Sequence, residues 1–327
     1  MTQDYAQARP TAFDDIPIVD LNDIGHAAGC NTFCDKVTRT AADVGFFYIT
    51  GHGIDPALRA RAFAASRRFF ALPSAAKTTV TVNQMQRGWL AQGQTRLEGS
   101  DTHDAKEVFF WGYDTPDHDP DVLAGVPLVA PNQWPTRAAP WLRQDIQPYY
   151  QAVLSLSAVI LAALAKGLGQ DADFFTPFYQ KPLGRGQLVY YPSQTAQDRN
   201  ARRMGAAAHT DFGVLTILAQ DDLGGLQVQN STGDWVEAPP VTDSLVCNIG
   251  DLLQMWTGGQ LRSTVHRVIN RAREPRYSIP IFCDPASTTP IDPSDFGAPK
   301  PQNIITAGEH IAKRNHKNFS HYQRPSK

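Results

Sequence analysis

The sequence predicts a mostly β protein with helices, in which a helical N-terminal part packs on a jelly-roll core (a double-stranded β-helix). Helical apolar patterns dominate residues 1–180, and many short alternating runs separated by glycine turns fill residues 181–290. Residues 291–327 are polar and basic, and we interpret them as a C-terminal tail or lid. A length of 327 residues suits one β-core with helical additions.

The N-terminal part is expected to mix helices with two short strands. Apolar residues at 146, 149, 153, 156, 160 and 164 recur at spacings of three and four, which predicts a strong core helix without chemistry of its own. The region from about 114 to 140 is rich in Pro and Asp and is expected to be a long loop. The remaining predicted elements are strands at 16–20 and 46–50 and helices at 32–44 and 56–71.

The β-core is predicted from runs of strand-forming residues bounded by turn signals such as Gly224-Gly225 and Gly258-Gly259. Such spacing is typical of a sandwich or jelly roll. The predicted strands lie at 187–191, 214–218, 226–229, 245–249, 265–270 and 277–282.

Composition excludes several classes of partner. A net charge of −2 leaves no electrostatic footprint for nucleic acid or for an anionic membrane. No signal peptide and no membrane span are expected, because the N-terminus lacks an apolar core and no run of about 18 apolar residues occurs. Cys30 and Cys34 have the spacing of half a metal site, but without a second pair thiols in a reducing compartment are favoured. We therefore expect a cytoplasmic protein.

His209 and Asp211 stand at the start of an apolar run. In an extended segment residues i and i+2 point the same way, so the two side chains can grip one ion together. Two histidines and one carboxylate on one face are the ligand set of non-haem Fe(II) enzymes that activate O2. Taken alone, this His-x-Asp segment would favour a polar turn.

The third ligand is sought among the nine histidines of the chain. Only His209 and His266 lie in the predicted β-core, and the 57 positions between them hold enough short strands to bring the chain back. A lone His266 would be read as a core histidine. The conjunction of His266 with His209 and Asp211 favours a metal site instead.

Strand alternation puts three further side chains on one inward face. Arg276, Ser278 and Phe282 are separated by even numbers of residues and therefore point to the same face of the strand. The residues at 277, 279 and 281 point to the opposite face. Arg276 and Ser278 offer a guanidinium fork and a hydroxyl, which suit a carboxylate in a dry pocket. An arginine in a strand can also be a solvated edge residue, but the apolar residues after Ser278 argue for an inward face.

These motifs resemble the signature of the isopenicillin N synthase-like family of Fe(II)- and 2-oxoglutarate-dependent dioxygenases. The similarity runs from about residue 16 to 285. It rests on His209-Thr-Asp211, His266, Arg276-x-Ser278, Ile16-Pro-Ile-Val-Asp-Leu, Gly45-Phe-Phe-Tyr-Ile-Thr-Gly-His-Gly-Ile54, Tyr190-Tyr-Pro192 and the segment from Asn248 to Gly259.

The resemblance implies a role for each matching residue. His209, Asp211 and His266 would be the iron ligands, and Arg276 and Ser278 would bind the distal carboxylate of 2-oxoglutarate. Tyr191 would add a hydroxyl to that carboxylate. Many plant members have Asn two positions before this tyrosine, where the present chain has Val189, which removes a polar contact or leaves room for substrate.

The activity that the resemblance implies is oxidation of a small organic molecule by O2, with release of succinate and CO2. Hydroxylation, desaturation and ring closure all remain open, whereas Asp211 leaves no vacant ligand position for the halide of a halogenase. Aromatic residues suggest a substrate with an apolar body. Arg96 or Arg87 could pair with an acidic group, and a surface role for either arginine is an equally open alternative. The expected lining comprises Phe110, Tyr190, Phe212, Phe282 and Arg96, with Phe109 and Trp111 close by.

Three alternatives stay open at this point. The first is an Fe(II) oxidase of the same fold that uses O2 without 2-oxoglutarate and binds the substrate's own carboxylate at Arg276. The second is a non-catalytic metal-binding jelly roll. The third, an oxygenase acting on nucleic acid, is disfavoured by the net charge. We expect a monomer or a weak homo-oligomer.

Overall fold

The fold was analysed in a computed structural model, which describes residues 7–10, 16–24, 27–95, 102–319 and 322. Fourteen strands lie within these ranges. In chain order they are β1 (Ile18–Asp20), β2 (Phe46–Thr50), β3 (Gly88–Leu90), β4 (Glu107–Trp111), β5 (Arg185–Tyr191), β6 (Ala206–His209), β7 (Leu215–Gln220), β8 (Leu226–Gln229), β9 (Trp235–Glu237), β10 (Leu245–Ile249), β11 (His266–Val268), β12 (Arg276–Cys283), β13 (Pro290–Ile291) and β14 (Ile305–Thr306).

Twelve of the strands form two sheets that face each other. The large sheet has the order β1-β2-β10-β7-β12-β5-β4-β3, and the small sheet has the order β6-β11-β8-β9. The predicted jelly roll is confirmed. Four strands of the large sheet, β1 to β4, come from the part of the chain before residue 181, so this part supplies both helices and half of that sheet. β13 and β14 pair separately.

Eight α-helices complete the described fold. The helix α2 begins where Asp55 accepts a hydrogen bond from the backbone N–H of Ala57 and Pro56 presets the first turn. The helices are α1 (Ala27–Asp43), α2 (Pro56–Phe70), α3 (Ser74–Lys77), α4 (Pro120–Leu123), α5 (Leu142–Gly167), α6 (Ala196–Asn200), α7 (Asp251–Trp256) and α8 (Ala307–Asn318).

The long helix α5 is the centre of the helical layer. Its apolar stripe, which includes Ile146, Val153 and Ile160, is buried, and α1 and α2 both pack against it. By length and composition α5 would also pass as a membrane span, and it is the only described helix that does so. Its burial between other helices and the large sheet is that of a core helix.

The two faces of the large sheet have different surroundings. On β12, Ile279 and Ile281 are fully buried against the helical layer. The other face, with Val189 on β5 and Phe46 on β2, forms a second apolar cluster with the small sheet. Because side chains alternate along each strand, neighbouring residues such as Leu188 and Val189 on β5 belong to different clusters. Arg276 on β12 lies on the second face, over the ring of Tyr191.

The C-terminal region is more ordered than the polar sequence suggests. α8 starts with a capping box, in which Thr306 and Glu309 satisfy each other's backbone N–H groups. After α8, Phe319 and Tyr322 join the apolar cluster between the two sheets. This region therefore closes one side of the jelly roll.

Candidate active site

His209, Asp211 and His266 meet where the small sheet ends. His209 is the last residue of β6 and His266 the first of β11, and the two are paired in register. The Asp211 Oδ1 atom lies 4.0 Å from Nε2 of His209 and 3.7 Å from Nε2 of His266. One ligand atom from each residue lies within 4.8 Å of the others, and this is the only such group found among the described residues.

Backbone carbonyls orient both imidazoles. Nδ1 of His209 lies 2.7 Å from the carbonyl oxygen of Ala207, and Nδ1 of His266 lies 3.1 Å from that of Thr264. A carbonyl only accepts, so each Nδ1 carries the proton and donates. Each Nε2 then lies on the side of its ring that faces Asp211, which is how a second shell orients metal-binding histidines.

Two side chains of the large sheet fix Asp211. Its Oδ2 accepts hydrogen bonds from Thr216 on β7 (2.6 Å) and from Asn248 on β10 (2.7 Å). Oδ1 is left to face the imidazoles. Burial opposes ionisation of Asp211, but the two histidines and these hydrogen bonds hold its pKa below the ordinary value.

The protonation states suit a divalent metal. Burial, together with repulsion by His266, lowers the pKa of His209 well below the ordinary value. His209 is therefore neutral and Asp211 ionised at neutral pH, as metal ligands must be. Two nitrogens and one oxygen on one side of a cavity fit Fe(II) with its remaining positions open.

Arg276 is the first residue of β12 and lies opposite Tyr191 in the β12–β5 register. Its side chain is almost fully buried, and Nε donates to the carbonyl of Gly224 at 2.5 Å while Nη2 reaches Gln220 Oε1 at 3.3 Å. Nη1 is buried with no hydrogen-bond partner among the described residues. A buried guanidinium with one free arm requires an acceptor, and a carboxylate such as that of 2-oxoglutarate meets this requirement.

Tyr191 and Ser278 are the expected partners of Arg276 in binding a carboxylate. The Arg276 guanidinium lies 4.9 Å from the centre of the Tyr191 ring. Ser278 is buried two residues further along β12, where it pairs with Val189 of β5 and Gln220 of β7. Arg276, Ser278 and Tyr191 thus share one region of the sheet.

Family models match both parts of the chain. Residues 16–137 match the non-haem dioxygenase in morphine synthesis N-terminal model, and residues 171–285 match the 2OG-Fe(II) oxygenase superfamily model. The 2-oxoglutarate-dependent dioxygenase citB of Monascus ruber is 37% identical over 288 residues, which cover 86% of this chain and 87% of that protein. The chain belongs to the 2OG-Fe(II) oxygenase superfamily. It is a non-haem iron, 2-oxoglutarate-dependent dioxygenase of the isopenicillin N synthase-like family.

Solved structures of other oxygenases have the same fold. A full-length Neurospora crassa protein in complex with alpha-KG (2-oxoglutarate) and thymine superposes with a TM-score of 0.81 at 27% identity, covering 93% of this chain and 98% of that one. JOX2 in complex with 2OG, Fe and JA gives a TM-score of 0.76 at 26% identity, covering 97% and 90%. Fe(II), 2-oxoglutarate and O2 are accordingly the cofactor and co-substrates of this dioxygenase.

A cavity of about 60 Å³ opens beside the metal ligands of the dioxygenase. Phe110 on β4, Phe212 after β6 and Phe282 on β12 line it together with His209 and Asp211. The structure therefore brings three of the expected aromatic residues to one wall. On β12, Tyr277, Ile279 and Ile281 face the helical layer instead.

Tyr190 was predicted to line the substrate pocket, and this prediction is wrong. Its ring lies 5.5 Å from that of Phe70 on α2 and 5.4 Å from that of Tyr277, against the helical layer. Neighbouring residues in a strand face opposite ways, so Tyr191 and Tyr190 cannot share one pocket.

Other expected residues also lie away from the cavity. Phe109 and Trp111 belong to the helix-side core. Arg87 is buried, with its guanidinium donating to the carbonyls of Met85, Gln86 and Leu128, and serves the fold. Arg96 lies outside the described residues.

The cavity also contains residues that sequence reasoning missed. Lys106 and Gln187 approach from the β4 and β5 side, and Asn315 and Phe319 from α8 and the residue after it. Lys106, Val108 and Phe110 are alternate residues and therefore point to the same face of the sheet. This could have been predicted from the sequence once β4 was recognised as a strand. Nothing in the sequence indicates that α8 docks here.

Proposed function

We propose that this dioxygenase oxidises a C–H bond of a small organic molecule with an apolar body, by hydroxylation, desaturation or ring closure. The observation that carries the proposal is that the His209–Asp211–His266 cluster borders a cavity with aromatic walls. The buried Arg276, with one unpartnered nitrogen, lies in the same jelly roll. These features suit a metal that serves both 2-oxoglutarate and an apolar substrate.

The roles of the chain's own residues follow from the geometry. His209, Asp211 and His266 would hold iron, which with 2-oxoglutarate and O2 supplies an oxidant for C–H bonds and releases succinate and CO2. Arg276, with Ser278 and Tyr191, would hold the distal carboxylate and so fix the co-substrate's orientation. Because Arg276 is nearly fully buried, this ion pair would form out of contact with water.

Phe110, Phe212 and Phe282 would bind the substrate and exclude water from the reacting C–H bond. The related Neurospora crassa and JOX2 structures contain thymine and JA, respectively, together with 2-oxoglutarate. They support a small-molecule substrate for the present chain.

The test is a substrate screen of the purified Fe(II) protein, with succinate release above background as the measurement. We expect 2-oxoglutarate to produce a visible charge-transfer band anaerobically and one class of apolar compound to accelerate succinate formation. Oxidation without succinate would favour the oxidase of the same fold. A spectrum that 2-oxoglutarate leaves unchanged would favour a non-catalytic metal site.

We also propose that the dioxygenase works in the cytoplasm as a monomer or weak homo-oligomer, without nucleic-acid or membrane partners. The net charge of −2 and the buried, free thiols of Cys247 and Cys283 support this. Cell fractionation and sedimentation of the purified protein test it. Retention on DNA at low salt or recovery with membranes would contradict it.

A further inference from the structure

Two basic side chains, Lys106 and Arg185, line the cavity beside the metal ligands. Arg185 already has a partner, because Nε and Nη2 each lie 2.9 Å from Oδ2 of the fully buried Asp284. Its Nη1 donates to Gln86 Oε1 at 3.2 Å. Arg185 is therefore neutralised and held, and offers little attraction to an anion in the cavity.

Lys106 is paired in a different way. Its Nζ lies 2.9 Å from Oδ2 of Asp104, and the side chain of Asp104 is 1% exposed. The other oxygen of Asp104 accepts a hydrogen bond from the backbone N–H of Ala207 at 3.0 Å. Asp104 thereby ties Lys106 to the strand that carries His209.

The Lys106–Asp104 contact is close without being an aligned hydrogen bond. Oδ2 of Asp104 has no hydrogen-bond partner of good geometry among the described residues. An ammonium has three N–H donors. Asp104 thus balances the charge of Lys106 while N–H groups remain for a ligand in the cavity.

The charges around the metal leave no place for an anionic substrate. The formal charges of Fe(II) and 2-oxoglutarate, when both are bound, would sum to zero. The charges of Asp211 and Arg276 also sum to zero. The pairs Lys106–Asp104 and Arg185–Asp284 are also neutral. A carboxylate brought into this cavity would lose its hydration without gaining an unpaired cation, whereas an uncharged oxygen would lose far less.

We propose that Lys106, neutralised by Asp104, makes the cavity selective for an uncharged substrate by donating a hydrogen bond to its carbonyl or hydroxyl oxygen. The inference rests on the proposed function and narrows its substrate class. Gln187, which pairs with Phe110 in the β4–β5 register, lines the same cavity and supplies an amide there. The substrate is then an apolar body with a neutral oxygen acceptor, and its carboxylic acid counterpart is rejected.

The test compares matched probes that differ only in charge: benzamide with benzoate, phenylacetamide with phenylacetate, and cyclohexanecarboxamide with cyclohexanecarboxylate. Binding is followed anaerobically as a change in the charge-transfer band of the protein with Fe(II) and 2-oxoglutarate. We expect at least one amide to bind, and each amide that binds to bind roughly tenfold or more tightly than its acid, which corresponds to about 1.4 kcal/mol.

Two variants locate the origin of the selectivity. Asp104→Asn keeps an acceptor for the Ala207 N–H but leaves Lys106 unbalanced, so the amide-to-acid ratio should fall roughly tenfold or more. Lys106→Met should weaken amide binding without strengthening acid binding. Asp243→Asn, at an exposed pair with Arg59, is the matched control and should leave the ratio unchanged.

Three outcomes would overturn the proposal: tighter binding of the acids by the wild type, an unchanged ratio in Asp104→Asn, or no binding of any amide. Thermal melts of each variant show whether it is folded, and Lys106→Met tests the donor even where Asp104→Asn does not fold. Failure of the proposed function is distinguishable, because the 2-oxoglutarate band would then be absent before any probe is added.

Discussion

The metal end and the substrate end of the cavity are built from different parts of the chain. At the metal end, the small sheet and the turn after β6 supply the ligands, and hydrogen bonds to backbone carbonyls and from the large sheet fix Asp211, His209 and His266 in one orientation each. At the substrate end, the wall combines β4, β5 and β12 with the C-terminal helix α8. The reaction type therefore depends on rigid paired strands, whereas the substrate depends on side chains that can change without disturbing the metal ligands.

The largest effect should come from removing a ligand at the metal end. His266→Ala should abolish iron retention and turnover while the fold persists, because the packing around it is otherwise unchanged. Iron per chain after desalting is the measurement, with the exposed His118→Ala as the control. A His266→Ala protein with full iron and activity would show that the ligand set is different.

The next effect concerns the co-substrate anchor. Arg276→Gln should raise the apparent 2-oxoglutarate constant by roughly thirtyfold to a few thousandfold, since breaking a buried charged contact costs about 2–5 kcal/mol. Lys at this position should rescue only partly because it lacks the fork, and Ser278→Ala should cost less because it removes one neutral donor.

Anaerobic titration of the charge-transfer band measures these constants, with iron binding retained throughout. Arg67→Gln is the matched control, because its guanidinium lies 5.4 Å from the ring of Tyr277 on the helix-facing side. Equal affinities for wild type and Arg276→Gln would make the oxidase without 2-oxoglutarate the leading interpretation.

A moderate effect is expected at the hydrogen bonds that orient Asp211. Asn248→Ala removes one of the two donors to Oδ2, and such second-shell changes typically cost 10–100-fold in metal affinity (order of magnitude). Competition with a chelator measures the iron constant, and Asn132→Ala, whose side chain bonds Gly112, serves as the control. Unchanged affinity would mean that Thr216 alone is sufficient to orient Asp211.

The smallest effect should appear at the substrate wall. Phe282→Ala should weaken substrate binding roughly tenfold or change the product pattern, with little change in 2-oxoglutarate affinity. Tenfold corresponds to about 1.4 kcal/mol, roughly half of the free energy that full burial of a phenyl ring contributes. The adjacent Ile281→Ala should do the opposite, lowering the free energy of unfolding by about 2–5 kcal/mol without altering selectivity. If the two variants behave alike, the two faces of β12 are not functionally separate.

The alternation of side chains along a strand, which separates the two faces of β12, can also be used to predict from the sequence which residues share a face. It was sufficient to group Arg276, Ser278 and Phe282, and the His-x-Asp spacing followed the same rule. The error at Tyr190 came from placing it beside Tyr191, although the rule assigns neighbours to opposite faces. Local periodicity fixes which way a side chain points relative to its neighbours once a strand is recognised.

What could not be predicted depends on contacts between distant segments. Lys106 reaches the cavity because β4 pairs with β5, two strands separated by the whole of α5. Asn315 does so because Phe319 and Tyr322 anchor the end of α8 between the sheets. Neither pairing is encoded in a local pattern of apolar and polar residues, so both require the three-dimensional structure.

Position along the chain also sets the order in which the site is made. The last metal ligand, His266, precedes the start of α8 at Ala307 by 41 residues (307 − 266). At roughly 5–20 residues per second, the ligands are synthesised about 2–8 s before the helix that covers them begins. We therefore expect the metal site to form independently of α8, which iron retention by a purified chain truncated before Ala307 would test.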